Sequence, residues 1–211
     1  MEILLPLLLG FVMSSIGVAL PGLLNMTAAK ISLKEGRQRA LVFALGASVV
    51  VFFQTYIAVS FAKFLNSRPD IIAILEETGL VIFSILTLYF LFIAKKKKIK
   101  KGKDIVKLKS RTSNFFLGAL LSALNFFPIP YYVFISVSFS AYKYFYFTNL
   151  FVSLFVIGVV VGSFSIFYLY IVFFKKLEHK ADFFMKNVNY FIGGVTGLVS
   201  VLTLIRILRS Q

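Results

Sequence analysis

Asn25 and Asn125 carry a donor and an acceptor inside long apolar runs, and each has prolines close by: Pro21 before the first, Pro128 and Pro130 after the second. A proline inside a helix lacks its backbone donor and crowds the carbonyl four residues earlier, a disturbance of about 3 kcal/mol. In hydrocarbon the freed carbonyl must be met by protein or water. Pro21 and Gly22 in "ALPGLLNMT" therefore predict a broken helix. The two prolines of "SALNFFPIPYYVF" predict an unwound or re-entrant stretch. Half-helix ends and bare carbonyls converging inside a membrane make a polar binding site. Asn25, Thr27, Ser48, Gln54 and Asn125 would give that site a neutral polar lining, suited to a zwitterion met by helix dipoles and poorly suited to a metal cation. The competing reading is a pair of kinks, each patched by a neighbouring side chain, with Asn25 as one such patch.

Other chemistry is scarce. The chain has no cysteine, which excludes thiol–disulfide exchange and thiolate metal sites. Its one histidine, His179, stands between Glu178 and Lys180, as a solvated residue would. No Ser/His/Asp set, carboxylate pair or phosphate-binding glycine loop occurs, so neither an enzyme nor a cofactor or metal site is expected. No acid lies deep in an apolar run, and Asp70, Glu76 and Glu77 are the only ones near a run.

The elements that must position these residues are membrane helices. Mean hydropathy is +0.91, and 59% of the 211 residues are hydrophobic. Six stretches approach the roughly 20 apolar residues that a span requires: 3–29, 40–62, 71–94, 114–142, 144–174 and 187–207. A net charge of +15 would suggest nucleic acid for a soluble chain, but hydropathy overrules that reading. The basic residues are unevenly placed. Four lie between the first and second spans, ten from Lys95 to Arg111 and four between the fifth and sixth, against five in the alternate loops and termini. The positive-inside rule puts those three loops in the cytoplasm, against anionic headgroups, and both termini outside.

The basic loop at 95–113 separates two blocks, 1–94 and 114–211, of three spans each. An odd number inverts the second block relative to the first. "TGLVIFSILTL" from Thr78 and "TGLVSVLTL" from Thr196, "ALGAS" at Ala44 and "VVVGS" at Val159, and the Asn/Pro pairs recur in the same order in both. The expected fold is an all-α integral membrane protein of six transmembrane helices, built as two inverted three-helix repeats with broken first and fourth helices. Gly158 and Gly162, Gly193 and Gly197, and the face of Gly10, Ser14 and Gly17 have the spacing of close helix packing.

The proline–glycine of the first span, the basic turn "KISLKEGRQRA", the small-residue second span and the Asn/Pro motif opening the fourth resemble the LysE family of amino-acid exporters across nearly the whole chain. Where that pattern has Pro-Gly-Pro and Asn-Pro-Lys, this chain has Pro21-Gly22-Leu23 and Asn125-Phe126-Phe127-Pro128, without the intramembrane lysine. The resemblance implies export of small amino-acid-like solutes across the bacterial cytoplasmic membrane, driven by an ion gradient. Two other readings compete: a membrane scaffold binding partner helices through its small-residue faces, and an ion or metal exporter of similar architecture. A homo-oligomer is left open.

Overall fold

The computed structural model describes residues 3–94 and 110–210, which form helices joined by short turns: α1 Leu4–Ala19, α2 Leu23–Glu35, α3 Arg37–Asn66, α4 Pro69–Leu88, a π-helical segment Tyr89–Ile93, α5 Arg111–Ala123, α6 Pro128–Ala141 and α7 Asn149–Ser210. Most of the basic loop, 95–109, lies outside the described residues. The first expected span is split where Pro21 falls: α1 and α2 meet at 78°. The fourth is split before Pro128, and α5 and α6 meet at 58°. Pro128 opens α6, where its missing N–H has no intrahelical partner to lose. α2 outlasts the apolar run by one and a half turns, because Lys30, Ser32, Lys34 and Glu35 are polar without being helix breakers. Gly36, at φ 93°, then turns the chain directly into α3.

Arg37–Asn66 and Asn149–Phe173 are each long and apolar enough to cross a membrane, and each bent pair also passes as one span. The third and sixth expected spans correspond to the shorter apolar stretches Leu80–Ile93 and Thr196–Ile205. α4 is helical through Glu77, whose side chain is exposed; the side chains of Asp70 and Glu76 lie outside the described residues. The turn expected after residue 174 is also replaced by helix: no glycine or proline lies between Gly162 and Gly193, and charge alone does not end a helix. The side chains of 174–186, including His179, lie outside the described residues.

The chain forms two compact units, residues 1–64 with 104–177 and residues 65–103 with 178–211. The first unit buries polar side chains within an apolar core and turns large apolar ones outward. Ser14, Asn25, Ser48, Gln54, Thr55, Asn114, Ser122, Ser136 and Ser163 are buried, whereas Leu8, Phe52, Phe53, Phe61, Phe116 and Phe134 are exposed. That distribution suits a protein whose solvent is lipid.

Two glycine crossings organise this unit. A Cβ on Gly10 of α1 would strike the Phe155 carbonyl of α7, and one on Gly158 of α7 would strike the Leu7 carbonyl of α1. Likewise Gly118 of α5 faces the Phe43 carbonyl of α3, and Gly46 of α3 faces that of Phe115 in α5. The expectation that Gly10, Gly158 and Gly162 serve packing holds. The helices of each crossing run the same way. α3 and α5 start beside the end of α2, where Asn114 Nδ2 donates to Glu35 Oε2 at 3.0 Å and Arg111 Nη2 to Gln38 Oε1 at 2.8 Å. α1 with α2, and α7, run toward that same end, where Ser32 Oγ donates to the Ile171 carbonyl at 3.0 Å.

In the second unit, Thr87 Oγ1 donates to Thr196 Oγ1 at 2.9 Å and Gly193 packs against Leu91. The π segment closes with the i to i+5 bond from Ala94 N to the Tyr89 carbonyl, 2.8 Å.

Candidate functional site

At the first break the last carbonyls of α1 have no intrahelical donors, because Pro21 and the bend end the ladder. Two side chains supply them. Asn25 Nδ2 donates to the Val18 carbonyl at 2.6 Å and to that of Leu20 at 2.9 Å, and the Tyr170 hydroxyl, from α7, donates to that of Ala19 at 2.9 Å. Tyr131 stacks over Gly17 and donates to the Met13 carbonyl at 2.8 Å. Pro21 and Gly22 are half-buried at the bend, and Thr27 is half-buried on α2.

At the second break the donor comes from α3. Gln54 Nε2 donates to the Ser122 carbonyl at 3.1 Å and to that of Asn125 at 2.9 Å. Asn125 turns its own Oδ1 onto the Phe127 N–H at 3.4 Å, a local Asx turn leading into α6. Pro128 is half-buried and Pro130 exposed, both in the first turn of α6. Each break therefore takes a donor from the helix that its own pair crosses: α7 serves the bend of α1 and α2, and α3 serves that of α5 and α6.

Repair consumes donors and leaves acceptors. Asn25 Oδ1, Gln54 Oε1, Ser48 Oγ, Ser122 Oγ and Ser136 Oγ are buried with no partner among the described residues. Asn125 Nδ2 makes no hydrogen bond there either. The structure brings Gln54 to Asn125 but shows no contact between Asn125 and Asn25. Tyr170, which meets the first break, neighbours Ile171 at the Glu35 end, whereas Gln54 comes two turns after the Gly46 crossing in α3. The breaks thus flank the crossings on opposite sides.

Sequence reading missed three contributors. Tyr170 lies in an aromatic run that nothing distinguishes from a lipid face. Asn114 is fully buried near the start of α5. Glu35 stands among basic residues, with every sign of an exposed turn, yet its side chain is only 2% exposed, 3.6 Å from Arg39. The expectation that acids come no closer than Asp70, Glu76 and Glu77 is corrected on this point: three helix ends converge on Glu35, and convergence buries what hydropathy assigns to water. At the far end of the unit, a cavity of about 160 Å³ opens between α3 and α7, lined by Tyr56, Ser60, Lys63, Asn149 and Ser153 among others.

A family model described as LysE type translocator matches residues 15–206. Among curated proteins and solved structures nothing matches significantly.

Proposed function

The chain belongs to the LysE type translocator family, whose members are membrane exporters of small solutes, and from that premise we propose that it exports amino acids or similar small zwitterions across the bacterial cytoplasmic membrane. The observation that carries this reading is the pair of broken helices with buried acceptors left over from their repair. An ammonium group has donors for Asn25 Oδ1 and Gln54 Oε1, and a carboxylate has acceptors for Asn125 Nδ2. Because the breaks flank the crossings, these groups meet the solute in succession along a path. Pro21, Gly22, Pro128 and Pro130 make the breaks along that path, and Thr27 and Ser48 add hydroxyls to it.

An inverted repeat is part of the proposal. Adding 108 to Leu7 and Gly10 gives Phe115 and Gly118, and adding 112 to Phe43 and Gly46 gives Phe155 and Gly158, so one glycine crossing maps onto the other. The mapped pairs run in opposite directions, which supports a two-fold axis in the membrane plane. The scaffold reading loses ground because the glycine faces of α1, α3, α5 and α7 are occupied by one another rather than presented to partners.

Efflux of labelled leucine, threonine, lysine and glutamate from cells with and without the protein tests the function, with flux normalised to folded protein. Asn25→Ala is expected to destabilise by about 1–2 kcal/mol through two lost carbonyl partners and also to lower flux per folded molecule. Asn125→Ala should leave stability within about 0.5 kcal/mol, since its side chain makes only a local turn, yet lower flux. Normal flux in both would remove their binding role.

We propose further that the Glu35 end faces the cytoplasm and both termini face outside. Ser110→Cys and Ser210→Cys, in a chain with no other cysteine, can be probed with an impermeant thiol reagent. The expected pattern is labelling of the second alone in intact cells; the reverse pattern overturns the orientation.

A further inference from the structure

The ion pair of Glu35 and Arg39 is placed for chemistry that neither break performs. Its partners stand 3.6 Å apart, beyond hydrogen-bond distance, with Glu35 buried and the Arg39 side chain 30% exposed. The pair is also incomplete on both sides. Arg39 Nη1 is buried and donates to nothing among the described residues, and Asn114 Oδ1, on a side chain of zero exposure, accepts from nothing. Asn114 holds Glu35 through its Nδ2 at 3.0 Å. A buried charged pair that leaves a donor and an acceptor unspent has not recovered its desolvation cost. Something that brings both a carboxylate and an ammonium completes it.

Resting on the export reading, we propose that Arg39, Glu35 and Asn114 form the entry site for a zwitterion at the cytoplasmic end. The solute inserts into the loose pair. Its carboxylate takes the fork of Arg39, which accepts planar carboxylates bidentately. Its ammonium takes the Glu35 carboxylate together with Asn114 Oδ1. No proton or covalent bond moves in this exchange; one internal ion pair is replaced by two to the solute. Gly36 lies between the two partners at φ 93°, with open space where a Cβ would stand. Of the other polar groups at this end, Arg111 donates to Gln38 and Ser32 to α7. The side chain of Arg37 is exposed.

Counterflow into liposomes holding purified protein tests this. The competitors are the zwitterion, carboxamide and N-acetyl forms of leucine, threonine, lysine and glutamate. For the wild type, a transported zwitterion should compete roughly tenfold or more better than either neutralised form, the worth of one charged contact. In Arg39→Gln the advantage over the carboxamide should fall to within about threefold. In Glu35→Gln and Asn114→Ala the advantage over the N-acetyl form should fall instead, and these two carry the test if the arginine variant does not fold. A role confined to pinning helices lowers flux for every competitor alike and leaves the ratios intact; that result overturns the entry site while sparing the export reading. A wild type that moves none of the four amino acids overturns the export reading, and the entry site with it.

Discussion

Gly118→Val is expected to prevent accumulation of folded protein, and Gly10→Val to do the same at the other crossing. The obstacle in each case is a backbone carbonyl, that of Phe43 or of Phe155, which cannot rotate aside as a side-chain tip would. Inserting methyl groups into a packed interior costs about 1–3 kcal/mol even where side chains yield. Here two helices must separate, which also strips Gln54 from the α5 carbonyl it caps near Gly118 and loosens the Ser14–Ser163 hydroxyl contact of 2.6 Å near Gly10. Gly194 is the internal control. It sits within α7 with nothing within 4 Å of an added Cβ, so Gly194→Ala should be neutral or stabilising, by up to about 1 kcal/mol from helix propensity. Thermal unfolding in detergent, followed by size-exclusion recovery, reads all three. Equal midpoints for Gly118→Val and Gly194→Ala would mean that α3 and α5 do not cross at these residues.

Gln54→Glu should be more damaging than Gln54→Leu, although it is the smaller change in shape. Gln54 is 6% exposed, and its amide nitrogen is the donor for the carbonyls of Ser122 and Asn125. Leucine removes that donor and leaves two carbonyls without it, costing about 1–3 kcal/mol. Glutamate also sets a buried charge against two carbonyl oxygens, with no cation beside it among the described residues, a penalty of several kcal/mol that the group escapes only by taking up a proton. The penalty is present while the carboxyl is charged and is relieved once it takes up a proton. Gln54→Glu should therefore gain stability relative to Gln54→Leu between pH 8 and pH 5, measured by unfolding midpoints. Midpoints that move in parallel for the two variants would place residue 54 in contact with water.

Much of the first unit is legible in the amino-acid order because local rules govern it. A proline cannot donate a backbone hydrogen bond wherever it stands, so Pro21 and Pro128 locate both bends without any knowledge of neighbours. Glycine at a four-residue interval predicts close helix contact, as at Gly158 and Gly162. Apolar length predicts the membrane, and the resemblance of "PG" and "KISLKEGRQRA" to one transporter family predicts the match over residues 15–206. Helix ends are less legible: hydropathy marks where lipid should stop, but a helix ends only at a breaker, so α2 runs on to Gly36 and α7 passes its charged stretch without a turn.

What tertiary structure alone decided is which groups complete one another. Tyr170 meets the Ala19 carbonyl from 151 residues away, and Gln54 meets that of Asn125 from 71. Both partnerships depend on the register in which the glycine crossings lock, and no local pattern encodes a register. Glu35 shows the same limit for charge. Its sequence neighbours are basic and polar and put it in water, whereas the ends of α2, α3 and α5 converge and take water away. Burial belongs to the space between helices, and that space exists only once they have packed.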